Sequence, residues 1–420
     1  MAQETRASRQ KPAATLDKPP RRRESAARLP GPSSADAAEL PTRAQRAQIR
    51  AGLLSWYRHS HRDLPWRRLG DPYAVWISEI MLQQTRVETV KEYFRRFLAR
   101  FPTPSALADG PLEEVLALWS GLGYYARARN LHAAACVIRD QHGGVFPQQP
   151  EAVHSLPGIG PYTAGAVLSI AFAQRAPIVD GNVIRVLSRL FTISEAQEEA
   201  ATRRRLWALA SDLVPDAGGD ANDPGDFNQA LMELGATVCL PKNPSCLVCP
   251  VSASCAARIE GDPERYPARK RERLVPTVDV VSLLVQRGAQ VVLLQRPPAG
   301  LWGGLWEPPT GERADDEAPE AALARLCAER LCSPGLLTRG ALSPLPPFEH
   351  LLTHRRMRFQ PYRLALEAAP ALTRLSGYQA ARWVTPGEPL ALGLSAWVSA
   401  LLGTRAAAEA ARTGTTDGRP

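Results

Sequence analysis

Between Arg43 and about Ala257, apolar residues recur at helical spacing. Val75, Ile80, Val87, Val90, Phe94 and Phe97 lie near a 3.6-residue period, and Leu112, Val115, Leu116 and Trp119 continue the pattern in the next segment. Prolines and glycines interrupt at short intervals, which predicts a compact multi-helix domain with brief turns. The pattern changes after a charged stretch from Arg258 to Arg273. Val278 to Val285 and Gln290 to Leu294 are β-branched runs around Arg287-Gly288, which predicts a hairpin. Residues 317–331 are rich in Ala and Leu and predict a helix, and Met357 to Leu366 predicts a further strand. The expected organisation is therefore multidomain: an all-α domain over 43–257, a linker over 258–274 and a smaller α+β domain over 275–402. Residues 1–42 and 403–420 have no apolar periodicity and too little apolar surface to offset chain entropy, so both read as disordered tails.

The 420 residues exceed what one hydrophobic core usually organises, in line with two domains. With 45% hydrophobic and 22% charged residues, the composition is that of a soluble protein. No apolar run approaches the roughly 20 residues that a membrane span needs. The N-terminus lacks the apolar core of a secretory signal, and Glu4, Asp17 and Glu24 speak against a mitochondrial presequence. A net charge of +9 favours a polyanionic partner, nucleic acid first. Nearly all of that positive charge is Arg, as a GC-rich genome would give, so charge alone leaves DNA binding open.

Four of the seven cysteines, Cys239, Cys246, Cys249 and Cys255, share one short stretch. That clustering reads as a metal site rather than an oxidised framework. Four thiolates on such a segment can hold a tetrahedral zinc or a cubane iron–sulfur cluster, and the spacing leaves both open. Leu156 to Ala164 (LPGIGPYTA) places Gly158 and Gly160 in a tight turn before a helix through Val167, Leu168 and Ile170. Backbone N–H groups at such a turn suit a phosphate oxygen, a grip on DNA that ignores sequence; a plain helix–helix turn is the alternative. Asp180 follows the apolar pair Ile178-Val179, a position typical of a helix N-cap. Glu79 sits inside Val75-Trp76-Ile77-Ser78-Glu79-Ile80-Met81-Leu82. It either takes a polar face of that helix or is buried, and burial would raise its pKa and prepare a general acid. Two carboxylates in unlike environments suit cleavage of a glycosidic bond through a cation-like transition state.

Taken in order, DLPWR (63–67), VWISEIMLQQTRV (75–87), LWSGLGYYARARN (118–130), LPGIGPYTAGA (156–166), VDGNVIRV (179–186) and FNQALMELGATVC (227–239) resemble the helix–hairpin–helix DNA glycosylases of the endonuclease III superfamily. Within it the match is to the adenine DNA glycosylases of the MutY type. The resemblance implies an all-α helix–hairpin–helix glycosylase domain with an iron–sulfur cluster loop, followed by a smaller nudix-like α+β domain. It turns the cysteine question toward a [4Fe–4S] cluster. By resemblance, Glu79 protonates the adenine and Asp180 stabilises the oxocarbenium-like sugar, with Asn182 beside it. Arg67, Tyr162 and Gln229 match positions that line the base pocket, and Gln83, Gln84 and Tyr124 match residues that enter the duplex around the lesion. The target base must leave the stack before its glycosidic bond is accessible. For Tyr124 and the neighbouring Tyr125, simple packing is the alternative.

Lyase members of the superfamily place a Lys where Tyr162 stands, so the resemblance implies a monofunctional glycosylase. In the second domain, residues 311–333 (GERADDEAPEAALARLCAERLCS) lack the helix crowded with Glu and Arg that a magnesium-dependent nudix hydrolase needs. The domain is therefore expected to read the lesion. Leu352-Thr353-His354 stands where the family carries Phe-Ser-His, which implies a shallower or differently wedged contact through Leu352. Without the family, His350 and His354 read as surface histidines. The implied substrate is double-stranded DNA with adenine opposite 8-oxoguanine or guanine. The protein is expected to be monomeric, off the membrane, and located in a bacterial cytoplasm with the nucleoid, with other repair proteins as possible partners. The rival readings are a glycosylase–lyase for oxidised pyrimidines and a non-catalytic, metal-stabilised DNA-binding protein.

Overall fold

The computed structural model describes residues 40–67, 69–218, 223–268, 274–370, 372, 374–387 and 391–403. The expected tails fall outside the described residues except at 40–42 and 403. The chain forms two compact units, and the split does not simply follow chain order. One holds the helices up to Pro111 and residues 129–272; the other joins Leu112–Ala128 to the chain from Arg273 onward.

The helical segment runs through α1 (Arg43–Ser60), α2 (Pro72–Leu82), α3 (Val87–Arg100), α4 (Pro104–Asp109), α5 (Leu112–Leu118), α6 (Ala126–His142), α7 (Pro150–Ser155), α8 (Pro161–Phe172), α9 (Gly181–Leu190), α10 (Ala200–Leu213), α11 (Pro224–Thr237) and α12 (Ala256–Ile259). Helix α1 opens on a capping box between Thr42 and Gln45. Asp71 caps α2 through the amides of Tyr73 and Ala74, with Pro72 in the first turn. Every residue of α2 from Tyr73 to Met81 is buried, so this helix has no solvent face. The apolar stripe read as one run from Val75 to Phe97 is in fact two helices. They are separated at Gln83-Gln84-Thr85, where Gln84 takes a left-handed φ of 58°.

Ile49 and Leu53 of α1, Val186 and Leu187 of α9, Leu209 and Leu213 of α10, and Phe227 and Leu231 of α11 form one core. Burial of each contributes roughly 1.5–3 kcal/mol. Two glycines allow the close packing that sets the start of α9. A Cβ at Gly235 would lie 2.6 Å from Asn182 Cβ, and one at Gly165 would lie 2.1 Å from the Pro177 carbonyl oxygen. The linker expected from 258 begins later, because α12 runs to Ile259 and Tyr266 is buried. The Tyr266 carbonyl accepts from Arg189 Nε at 3.1 Å and its hydroxyl donates to Glu260 at 2.9 Å.

The second unit is built on an eight-stranded sheet. Its elements are β1 (Thr277–Arg287), β2 (Gln290–Gln295), β3 (Trp306–Glu307), β4 (Thr310–Glu312), α13 (Pro319–Arg330), β5 (Ala341–Pro344), β6 (Phe348–Leu352), β7 (Arg355–Ala365), β8 (Ala380–Val384) and α14 (Ala396–Leu401). The central order is β3-β2-β1-β7-β5, with β4 on β1, β6 on β7 and β8 on β2. The hairpin at Arg287↔Gln290 matches the sequence reading, as do the helix and the later strand. Strands β1 and β7 pair in parallel from Thr277↔Arg356 to Gln286↔Ala365. Alternate residues of β1 face opposite ways: Val281, Leu283 and Val285 pack with Leu323 and Leu326 of α13, and Val280 and Leu284 pack with Trp397 and Val398 of α14. Thr353 and His354 form the two-residue turn between β6 and β7. Among the described residues, no helix is long and apolar enough to cross a membrane.

Candidate active site

A cavity of about 680 Å³ opens in the helical unit between α2, α8, the start of α9 and α11. Its walls include Arg67, Glu79, Gln83, Gln84, Gly158, Gly160, Tyr162, Asp180, Asn182 and Gln229, so residues spread over 163 positions of sequence meet at one place. Glu79 is 4% exposed, which decides between the two readings of its helix in favour of burial. Tyr162 Oη, from the first turn of α8, donates to Glu79 Oε2 at 2.5 Å and also lies 3.3 Å from Met232 Sδ. Burial pushes the Glu79 carboxyl up, to about 7; the Tyr162 hydrogen bond and Arg67 pull it down, while Asp180 adds to the rise.

Asp180 is the N-cap of α9, and it also faces the cavity. One carboxylate oxygen accepts from the Val183 amide at 2.7 Å and the other from Asn182 Nδ2 at 3.2 Å. Burial raises its pKa, and those hydrogen bonds and Arg185 oppose the rise. The two carboxyls thus share a cavity with unlike partners: Glu79 is held by one hydroxyl, Asp180 by amides at a helix N-terminus.

Arg67 reaches the cavity wall already paired. Its Nη2 donates to Glu233 Oε2 at 2.8 Å, while Arg62 grips the same carboxylate through Nε at 2.7 Å and Nη2 at 2.9 Å. Burial would raise the Glu233 pKa, but the two guanidinium groups outweigh it and hold the carboxyl at about 2. Gln83 Nε2 donates to Thr163 Oγ1 at 3.2 Å, tying the end of α2 to α8. Gln84 is exposed. Gly158 has a φ of +79° and its absent Cβ would lie 2.5 Å from Asn130 Cβ, whereas a Cβ at Gly160 would meet nothing within 4 Å. The first glycine makes the turn; the second leaves the approach to the helix start open. Glu233, Arg62, Thr163 and Met232 were not singled out from sequence, although a Glu inside the apolar α11 carries the same signal as Glu79 does in α2.

Cys239, Cys246, Cys249 and Cys255 line one small cavity with Arg189, Pro244 and Arg258. Among the described residues, no three His, Cys, Asp or Glu side chains are placed to hold a single metal ion. Buried Arg189 pins the leg of this loop: it donates to the carbonyls of Leu240 at 2.7 Å and Pro241 at 3.0 Å, and to Cys239 Sγ at 3.3 Å. The one guanidinium thus anchors Cys239 together with the two carbonyls that follow it.

In the other unit, Tyr124 is 49% exposed at a left-handed φ of 49°. Its hydroxyl lies 2.8 Å from Thr353 Oγ1, so two residues singled out separately from sequence touch. Tyr125, by contrast, is buried, as its packing alternative anticipated. His354 is exposed; His350 is half-buried against Trp302 at 5.9 Å, and burial lowers its pKa, so it departs from the surface reading. Leu352 packs toward the core of its unit with Phe348, and the apolar side chain at the surface beside the turn is Leu351, 67% exposed.

Residues 77–212 match the family described as HhH-GPD superfamily base excision DNA repair protein, and residues 280–404 match the NUDIX domain family. The chain is 39% identical over 392 residues to the adenine DNA glycosylase of Mus musculus, covering 80% of this chain and 74% of that protein. It is 38% identical over 402 residues to the adenine DNA glycosylase of Homo sapiens, covering 82% and 71%. Among solved structures, a thermostable thymine-DNA glycosylase aligns with 52% of this chain and 98% of its own at 31% identity, with a TM-score of 0.47.

Proposed function

From the premise that this chain belongs to the adenine DNA glycosylases, we propose that it excises adenine mispaired with 8-oxoguanine, and also with guanine, using Glu79 as the acid and Asp180 as the stabilising carboxylate. It is a monofunctional N-glycosylase of base-excision repair, a hydrolase acting on DNA. The observation that carries the assignment of roles is the buried Glu79 carboxyl in a cavity it shares with Asp180.

A pKa of about 7 lets Glu79 hold a proton at neutral pH and give it up to a base nitrogen. Protonation makes the adenine a better leaving group as the glycosidic bond breaks. The positive charge that then develops on the sugar faces the Asp180 carboxylate, whose oxygens are fixed in place by Val183 and Asn182. A water adds to the sugar, its surplus proton restores the Glu79 carboxyl, and an abasic site remains. Covalent lyase chemistry needs an amine nucleophile, and among the described residues lining the cavity there is no Lys. Tyr162 occupies that place and holds Glu79 instead. Gly158, Gly160 and the start of α8 would take the DNA backbone, and Gln83, Gln84, Tyr124, Thr353 and His354 would meet the bases around the mispair.

We read the four cysteines as ligands of a [4Fe–4S] cluster. The four side chains line one small cavity, and the chain's membership of the adenine DNA glycosylases supports a cluster there. Bound there, the cluster supplies a rigid core to a loop whose surface carries Lys242 and Arg258.

The test is a single-turnover assay on a duplex with one adenine opposite 8-oxoguanine, with and without alkali, for wild type and Glu79→Gln. Cleavage that needs alkali and vanishes in the variant is expected. Strand breaks without alkali would indicate a lyase, and wild-type binding without product would indicate a non-catalytic binder.

A further inference from the structure

The segment Leu112–Ala128 groups with the C-terminal sheet, and the contacts that join them are specific. The backbone of Leu394 is held at both polar atoms: its amide donates to Ser120 Oγ at 3.0 Å, and its carbonyl accepts from Tyr125 Oη at 2.5 Å. Each hydroxyl also reaches back into its own segment. Ser120 Oγ donates to the Leu116 carbonyl at 3.2 Å, and Tyr125 Oη accepts from the Gly121 amide at 3.2 Å. Between these two anchors stands Tyr124, with Arg127 bracing the loop through the Leu122 and Gly123 carbonyls at 3.1 and 3.2 Å. The Tyr124 hydroxyl meets Thr353 in the turn between β6 and β7 at 2.8 Å.

Tyr124 pairs an exposed ring with a backbone conformation that L-residues adopt rarely, so something must hold it there. We propose that Ser120 and Tyr125 are positioning residues that lock the Tyr124 loop to Leu394. The lock keeps Tyr124 and Thr353 at one base step, and preference for 8-oxoguanine over guanine opposite the adenine depends on it. This rests on the mispair reading given above. Neither hydroxyl touches the catalytic cavity, so loss of either should leave excision itself in place.

Two measurements on the full chain test it. Amide hydrogen exchange reads the lock directly, because the Gly121 and Leu394 N–H groups are donors in it. Tyr125→Phe should speed exchange at Gly121, and Ser120→Ala at Leu394, each about fivefold, the worth of an ordinary hydrogen bond. Equilibrium binding to duplexes carrying a non-cleavable adenine analogue opposite 8-oxoguanine or guanine gives the preference as a ratio of Kd values. That ratio should fall about fivefold in Tyr125→Phe and further in the double variant, while affinity for the guanine duplex stays as in wild type. Equal loss on both duplexes, an unchanged ratio, or unchanged exchange at Gly121 would each overturn the proposal. A wild type that does not distinguish the duplexes overturns it together with the mispair reading, a failure visible before any variant is made.

Discussion

Tyr162→Phe isolates the hydrogen bond that opposes burial in setting the protonation of Glu79. In the wild type, burial raises the Glu79 carboxyl to about 7 and the Tyr162 hydroxyl, 2.5 Å from Oε2, is the foremost influence in the other direction. A hydrogen bond to a charged group contributes about 1.5–3 kcal/mol, and each 1.36 kcal/mol corresponds to one pKa unit, so removing it should raise Glu79 by about 1–2 units. As the proposed acid, Glu79 acts while protonated, so excision should be full below its pKa and fall tenfold for each unit above. The alkaline limb of the rate profile should therefore move from near 7 in the wild type to about 8–9 in the variant. The assay is single-turnover excision of adenine opposite 8-oxoguanine at saturating enzyme, across the neutral to alkaline range. The plateau will drop because Tyr162 also forms the cavity wall, so the position of the limb is the readout, not its height. A limb that stays in place, or moves toward lower pH, would refute both the hydrogen bond's role and Glu79 as the titrating acid.

Three further outcomes follow from the same structure. Glu79 binds its proton more tightly folded than unfolded, with a pKa of about 7 against 4.5, so its ionisation costs stability as pH rises between them. Glu79→Gln should then be more stable than wild type by up to about 3 kcal/mol at pH 8 and by less than about 1 kcal/mol near pH 5, read from denaturant midpoints. Glu233, held at about 2, contributes stability above its ordinary 4.5 that is lost as pH falls toward 2. Glu233→Gln strips a buried partner from Arg62 and Arg67 and should cost about 3 kcal/mol, the low end for a broken buried pair because Arg62 is 39% exposed. Arg189→Lys cannot reach the Leu240 and Pro241 carbonyls and Cys239 with one fork; it should purify with less iron and weaker visible absorbance per chain, and full iron content would count against the pinning role.

The amino-acid sequence made the carboxyls of the candidate site legible and the hydrogen bonds at Leu394 invisible, for physical reasons. Glu79 stands out because a carboxylate in an all-apolar helix is costly unless something holds it, and Tyr162 does so. Asp180 was legible as an N-cap, which it is; that the same carboxylate faces the cavity depends on how Gly165 and Gly235 let neighbouring segments approach α9. Local periodicity marks elements but not partners. It gave β1 and β7, yet their parallel pairing joins residues 79 positions apart at Val278↔Met357. Likewise, nothing near Tyr125 in sequence announces a carbonyl 269 positions later. On β6, Leu351 and Leu352 look alike, and only the alternation set by Phe348 decides that Leu352 turns inward.

The sheet unit holds its turn between β6 and β7 by packing and by specific hydrogen bonds. Helix α13 turns Ala322, Leu323, Leu326 and Cys327 inward, and its Arg325 is taken by Glu317 at 2.7 Å, with Glu329 at 3.7 Å. Of the acidic groups here, Glu317 and Glu329 pair with Arg325, and Glu320 accepts from the Tyr362 hydroxyl at 3.3 Å. Two helices pack on opposite faces of the sheet, and its β6–β7 hairpin ends in an exposed two-residue turn. A turn is a weak reader when it stands alone, because its few side chains are mobile. Thr353 does not stand alone. It meets Tyr124, whose loop is fixed at Leu394 in the same unit, so the reading role proposed above falls to paired, held side chains, and the proposed bond-breaking role falls to carboxyls lining a cavity with its own supports.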